Sequence, residues 1–199
     1  MRLIYLAIAF SIFQISYAAS TEPVCASYLN SICTENYWTS CDENLVHDYT
    51  RLLYLPLNRH LRGLKSESSC ELVSDALKES LGKLPPFEKK TVYRGVVIRD
   101  GLANIKEGEC FTDFGFISTS TNKEAVKQFA FSGSGAKGIL ELKSKTGKDV
   151  SQYSAFKGES EILFLPKTIF ILEKKDQESY FTVFKFKETT EEKCSVIIH

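Results

Sequence analysis

The chain has 199 residues and carries 25 basic and 25 acidic side chains, a net charge of zero with neutral histidines. That balance, without a block of lysine or arginine, excludes a nucleic-acid binder held by phosphate contacts. The length suits one compact domain with a sizeable core, and no segment beyond the amino-terminal run is apolar for long enough to span a bilayer.

Taken in chain order, Arg2, the apolar run from Leu3 to Ile15 and the small-x-small triplet Ser16-Tyr17-Ala18 predict a secretory leader over residues 1–18. The remainder, 19–199, is then expected as a single secreted domain without a membrane span. The tail from Cys194 to His199 is too short for a lipid-anchor signal. Six cysteines (Cys25, Cys33, Cys41, Cys70, Cys110 and Cys194) behind such a leader predict disulfides formed in an oxidising compartment. Their spacing does not choose a pairing. There is no C-x-x-C, and His47, His60 and His199 are scattered, so no metal site is expected.

Residues 20–41 show little periodicity and read as an irregular stapled arm. From Asn44 to Leu64 the apolar positions Leu45, Tyr49, Leu52 and Leu53 fall at helical spacing, and Pro56 divides or kinks that helix. Cys70 to Leu81 reads as a further amphipathic helix with Leu72, Val73, Ala76, Leu77 and Leu81 inward, ended by Gly82 and Pro85-Pro86. A helical lobe is thus expected over about 42–84.

Beyond the prolines the texture becomes that of strands, over about 90–187. Thr91 to Ile98, Cys110-Phe111, Phe116 to Ser118, Gly138 to Leu142, Glu161 to Leu165, Ile169 to Glu173 and Phe181 to Lys187 are the predicted strands. Thr121-Asn122-Lys123-Glu124 reads as a capping box opening one helix that runs to about Phe131. Helices first and strands afterwards predict an α+β protein. The loop Gly135-Ala136-Lys137-Gly138 is not a phosphate-binding Walker loop, and no G-x-S-x-G nucleophile elbow occurs.

Three short signatures stand in order: Tyr93-Arg94-Gly95, Ser118-Thr119-Ser120 and Glu159-Ser160-Glu161. Each alone has a bland explanation, as an exposed strand arginine, a strand end feeding a helix cap, or two carboxylates on the wet face of a strand. Together they weigh more. Residues i and i+2 of a strand project from one face, so Glu159 and Glu161 are expected to point together and to repel unless a cation lies near them. The run Ile162-Leu163-Phe164-Leu165 that follows is typical of a buried strand, which makes the pair a cleft wall rather than open surface. Ser151 to Gly158, just before it, is a loop with two exposed-looking aromatics, Tyr153 and Phe156.

In these three motifs, their order and their spacing (24 residues from Arg94 to Ser118, 43 from Ser118 to Glu161), the chain resembles the arginine-specific mono-ADP-ribosyltransferases of the Arg-Ser-Glu class. Phe129 after the serine motif, Ile162-Leu163 after the last glutamate, and the stretches Asp48-Tyr49-Thr50, Leu57-Asn58-Arg59 and Leu61-Arg62 add to the likeness. The resemblance implies a split, mixed β-core that grips NAD in a central cleft beside the helical lobe, with NAD as substrate and no metal. By the same resemblance Arg94 would bind the NAD phosphates, where its planar fork can take two oxygens, and Gly95 would let the backbone approach the nicotinamide amide. Ser118 would orient Glu161, and Phe129 or Phe131 would stack on nicotinamide or simply pack in the core. Glu161 would stabilise the oxocarbenium-like ribose cation, and Glu159 would meet the guanidinium of the acceptor and assist its deprotonation. Tyr153 and Phe156 would help recognise the target protein or be solvent-facing loop aromatics with no role, and a bridge from the amino-terminal arm to Cys194 is the natural guess. The implied enzyme is a secreted monomer, a toxin or effector or a host enzyme, acting on an arginine-bearing protein.

Three alternatives remain on the residues alone. An NAD glycohydrolase would use the same chemistry with water as acceptor. A catalytically inactive secreted binding protein would keep only the fold. A disulfide-rich inhibitor or structural domain would leave the three motifs as coincidence.

Overall fold

The computed structural model describes residues 24–88, 90–132, 135–190 and 196–197. The leader assigned to 1–18, and Cys194, lie outside the described residues, as do the side chains of Phe129 and Phe131. Among the described residues no helix is long and apolar enough to cross a membrane.

The expected arm is not wholly irregular. Val24–Ser31 is a 3-10 helix, tied by the Cys25–Cys70 disulfide to a long helix, α3 (Ser68–Gly82). Cys33 pairs with Cys41 instead of reaching across the molecule. All three arm cysteines are therefore used within the helical part, and the guessed bridge from the arm to Cys194 does not form. Cys110 is disulfide-bonded as well.

Helix α1 (Ser40–Asp48) starts at a capping box in which Thr39 and Asp42 satisfy one another's backbone donors. The fully buried Asp42 carboxylate also accepts from Ser80 Oγ at 2.7 Å and Lys83 Nζ at 2.8 Å, which joins α1 to α3. The chain then passes through a π-helical turn, Tyr49–Leu53, into α2 (Tyr54–Leu61). Pro56 has no N–H to give the preceding turn, and the widened π turn lies directly before its helix. That turn shifts the apolar stripe to Leu45, Tyr49, Leu53 and Leu57, all buried, and leaves Leu52 exposed against expectation. Leu72 is likewise exposed, because the buried stripe of α3 runs through Cys70, Val73, Leu77 and Leu81.

Among the described residues nine strands follow: β1 (Thr91–Val97), β2 (Cys110–Thr112), β3 (Ile117–Ser120), β4 (Lys137–Lys143), β5 (Lys148–Asp149), β6 (Glu161–Phe164), β7 (Ile169–Glu178), β8 (Phe181–Thr189) and β9 (Val196–Ile197). Their order is β5-β6-β3-β1-β4-β8-β7-β2-β9, with β4–β8 and β2–β9 parallel and the other pairs antiparallel. A short helix, α4 (Asp100–Asn104), and the two-residue strands β5 and β9 are too short to carry a periodic signal in the sequence. Strand β7 runs past the expected Glu173 because Lys174 to Glu178 lie on the wet hairpin with β8, where Asp176 pairs with Lys174 and Lys185. Helix α5 (Lys123–Ser132) is capped by Asn122, not Thr121. The Asn122 Oδ1 accepts from the N–H groups of Glu124 and Ala125 at 3.1 and 3.2 Å.

One register relation shapes the sheet. β1 pairs with β4 along its whole length, Thr91↔Lys143 to Val97↔Lys137, but with β3 only at Tyr93↔Ser120. Past Tyr93 the sheet therefore splits into two leaves. Their inner faces share one core, in which Ile117, Ile162 and Phe164 meet Leu140, Phe170, Phe184 and Phe186. Helix α5 covers the outer face of β1, β4 and β8, where Val126 and Ala130 cluster with Tyr93, Ile139 and Val183. The helical part covers Leu163 and Val150 on the other leaf.

Candidate active site

The mouth of the split gathers the three sequence signatures. Arg94 follows Tyr93, the last point of contact between β1 and β3, and its Nη1 donates across the gap to the Ser118 carbonyl at 2.6 Å. Burial pulls its pKa down. Asp113, Tyr49 and Glu161 oppose that shift, whereas Arg62 adds to it. Arg94 is therefore a cation in a balanced but dehydrated setting.

Gly95 lies beside it. A Cβ here would stand 2.8 Å from the Val126 carbonyl oxygen and 3.1 Å from Ala130 N, both backbone atoms of α5. The absent side chain is thus demanded by the helix behind the strand. The Gly95 backbone stays on the edge that has parted from β3.

Glu161 opens β6 and is only 5% exposed. Its two oxygens are held by two hydroxyls: Ser118 Oγ donates to Oε1 at 2.5 Å and Ser154 Oγ to Oε2 at 3.0 Å. Burial raises its pKa, and the two serines and Arg94 hold that rise down. The other members of the serine triplet fix the same segment. Thr119 Oγ1 donates to the Ile162 carbonyl at 2.7 Å, and Ser120 Oγ to the Glu159 carbonyl at 2.5 Å.

Glu159 does not stand where a strand would put it. Strand β6 begins only at Glu161, and Ser160 between them has φ of 46°, in the left-handed region. No cation lies between the two carboxylates among the described ion pairs. Instead the Glu159 pKa is pushed up to about 7 by burial and then by the Glu161 charge, and its Oε1 is buried without a hydrogen-bond partner. The repulsion foreseen from the sequence is thus relieved by a carboxyl that can keep its proton.

The loop before the pair departs from expectation at one aromatic. Tyr153 is half-buried, packed on Trp38 with ring centroids 4.6 Å apart, and so ties the loop to the helical part. Phe156 is 45% exposed and stands at the loop's outer side.

Other residues of the site come from the helical stretches that add to the likeness, without a role foreseen for them. Arg62 at the C-cap of α2 grips Asp113 with two bonds, Nε to Oδ1 at 2.8 Å and Nη2 to Oδ2 at 2.6 Å. Asn58 accepts from Phe116 N at 2.8 Å and donates to the buried Tyr49 hydroxyl at 3.2 Å. This clasp seats α2 on the segment that leads into β3. Asn58 in α2 and Arg62 at its C-cap stand at i and i+4, a spacing visible in the sequence, but Phe116 and Asp113, which they bind, are more than fifty residues away. Two surface concavities, one of about 390 Å³ beside His60 and Ser74 and one of about 370 Å³ beside Lys145 and Ile171, lie apart from Arg94, Ser118 and Glu161.

This mixed sheet with a helical flank is also the fold of solved ADP-ribosyltransferases. The structure of ADP-ribosyltransferase Vis with agmatine superposes with a TM-score of 0.67, at 24% identity over 83% of each chain. Exoenzyme S from Pseudomonas aeruginosa, solved with human 14-3-3 protein beta and Carba-NAD, superposes with a TM-score of 0.64, at 22% identity over 83% of this chain and 81% of that one. The chain belongs to the ADP-ribosyltransferase exoenzyme family, whose model matches residues 24–196.

Among curated relatives, the Mycobacterium avium protein Mav, named provisionally as an NAD(+)--arginine ADP-ribosyltransferase, is 36% identical over 116 residues, 58% of this chain and 14% of Mav. Exoenzyme T of Pseudomonas aeruginosa is 33% identical over 118 residues, 58% of this chain and 25% of that protein. Vis of Vibrio splendidus is 29% identical over 160 residues, 74% of this chain and 64% of Vis. The chain thus spans a quarter or less of the first two relatives and just under two thirds of the third.

Proposed function

We propose that this chain is a secreted mono-ADP-ribosyltransferase, a toxin or effector, that transfers ADP-ribose from NAD to arginine side chains of a target protein. Residues 1–18 are its leader and 19–199 one monomeric catalytic domain. The observation that carries the reading is the Glu161 carboxylate held at both oxygens by Ser118 and Ser154, beside Arg94 and with Glu159 at its entrance. The complexes of Vis with agmatine, an arginine mimic, and of exoenzyme S with Carba-NAD support an arginine acceptor and NAD as the donor.

The residues then have distinct tasks. Arg94 takes the NAD phosphates with its planar fork, and the Gly95 backbone, on the parted edge of β1, approaches the nicotinamide amide. Phe129 is proposed beside the nicotinamide ring. When the bond between nicotinamide nitrogen and ribose C1′ breaks, its electron pair leaves with nicotinamide and cancels the ring's charge. The ribose is left as an oxocarbenium-like cation. Glu161, fixed before the event, supplies the opposing charge, an effect commonly worth about 3–4 kcal/mol. A guanidine nitrogen of the acceptor bonds to C1′, and its proton passes to Glu159, whose pKa of about 7 suits a general base at neutral pH.

The test is nicotinamide release by the purified, oxidised protein with and without agmatine. Acceptor-dependent release with ADP-ribosylated agmatine as product supports the transferase. Release that ignores agmatine, with free ADP-ribose formed, turns the reading to a glycohydrolase. No release from folded protein defeats both.

A further inference from the structure

We propose that Ser154 is a second positioning residue for the Glu161 carboxylate, and that through it the loop from Val150 to Glu161 belongs to the NAD-cleaving machinery as well as to acceptor recognition. The inference rests on the proposed function, since it assigns Glu161 the work of stabilising the ribose cation.

Ser154 is fully buried, and its hydroxyl has a single proton to give. An ionised carboxylate only accepts, so the 3.0 Å contact to Glu161 Oε2 is a donation from Ser154. The Ser154 hydroxyl oxygen in turn accepts the Phe156 N–H at 3.2 Å. With Ser118 on Oε1, each Glu161 oxygen has its own hydroxyl donor, which fixes the plane of the carboxylate as well as its position. One donor alone leaves rotation about the side chain's last bond free.

Ser154 is itself held from three directions. Its N–H and that of Tyr153 bond to the Val150 carbonyl at 2.8 and 2.9 Å, and Val150 N bonds back to the Glu161 carbonyl at 3.0 Å. Next along, Ala155 N donates to Thr50 Oγ1 at 2.9 Å, and Thr50 in turn donates to the His47 carbonyl at 2.9 Å. Tyr153 rests on Trp38. Helix, loop and catalytic strand are thereby joined through Thr50, Ala155, Ser154 and Glu161. Of this loop, Gln152 and the outer turn, Phe156 to Gly158, face solvent. An acceptor that presses on this turn acts on Ser154 through the Phe156 N–H, and so on Glu161.

The charged and titratable groups around Glu161 are Arg94 on β1, Tyr49 on the helical side and Glu159 on its own segment. Ser154 lowers the Glu161 pKa against burial, so its removal must move the titration of Glu161 upward.

The experiment is Ser154→Ala, read in two ways. The first is the pH profile of acceptor-free nicotinamide release. We expect kcat at pH 7 to fall about 10-fold with the KM for NAD within about twofold, and the acidic limb to move up by about one pH unit. The second is the 13C carboxyl titration of Glu161 by NMR, assigned with Glu161→Gln. It compares proteins with and without the Ser154→Ala change in a Glu159→Gln background that removes the coupled neighbour. The Glu161 resonance is expected to titrate at higher pH in the Ser154→Ala protein. An unmoved titration overturns the proposal, even where turnover falls, because a merely structural role leaves the carboxyl's environment unchanged. Absence of NAD turnover in the unmodified protein defeats the proposed function instead, and the NMR comparison still decides whether Ser154 holds Glu161.

Discussion

Ser118 and Glu161 meet on a diagonal of the sheet. In the β3–β6 ladder Ser118 stands opposite Leu163, and its hydroxyl reaches two residues back along β6 to Glu161 Oε1 at 2.5 Å. Diagonal neighbours on one face of an antiparallel pair lie close enough for such contact. The serine can thus orient the carboxylate while the ladder position opposite Glu161 is left to Ser120.

Glu161→Gln keeps this shape and removes the charge. We expect nicotinamide release, with or without agmatine, to fall by about 100-fold or more, while NAD binding measured by calorimetry is retained. Near-normal turnover would remove Glu161 from the mechanism.

Glu159 yields a prediction with a sign in pH. Its folded pKa of about 7 lies above the ordinary 4.5, so between these values the folded chain binds a proton that the unfolded chain has released. Its contribution to stability is therefore full below about pH 4.5 and is lost as pH rises through 7. Glu159→Gln should raise the melting temperature at pH 8, by about 2–4 °C after discounting for contact with water, and leave it unchanged at pH 4. The same variant should lose transfer to agmatine and keep hydrolysis. Agmatine transfer by the unmodified protein should rise through pH 7, and equal loss of both activities in the variant would show that Glu159 does not serve the acceptor.

Gly95→Ala sets a methyl group against the α5 backbone at Val126 and Ala130, which cannot rotate away as a flexible side chain would. A destabilisation of about 1–3 kcal/mol is expected from overpacking, seen as a lower urea midpoint. An unchanged midpoint would mean that α5 shifts freely on β1.

Asp113 balances two arginines, bonding Arg62 bidentately and facing Arg94, and also accepts the Gly115 N–H at 2.8 Å. Asp113→Asn leaves both guanidinium groups with less opposing charge, and a loss of about 2–3 kcal/mol is expected for a pair this sheltered. Chemical denaturation at low and high salt checks it, since a sheltered pair shows little salt dependence.

The two mapped disulfides differ in span, 45 residues for Cys25–Cys70 and 8 for Cys33–Cys41. By chain entropy the first contributes about 4 kcal/mol and the second about 2.5. Paired serine substitutions should therefore lower the melting temperature more at Cys25 and Cys70 than at Cys33 and Cys41.

The sequence alone determined what short-range pattern can carry. The α+β order of elements, the strand holding Arg94, the buried strand after Glu161 and each motif of the family resemblance rest on residues near one another in the chain, where backbone period and side-chain chemistry are local properties. Leu52 and Leu72 mark the limit of that reading, since a π turn or a narrower buried stripe changes which side of a helix is covered. Only the tertiary structure decided that β1 and β3 part after Tyr93, that Arg62 closes on Asp113, that the arm is stapled to α3, and that Ser154 reaches Glu161. It also decided that Glu159, lifted off the strand by the left-handed Ser160, is half-buried beside a like charge and drawn to a pKa of about 7. These relations depend on which distant segments exclude water from one another. Charge balance, proton affinity and the position of a catalytic oxygen are set by that shared exclusion, which no single stretch of chain contains.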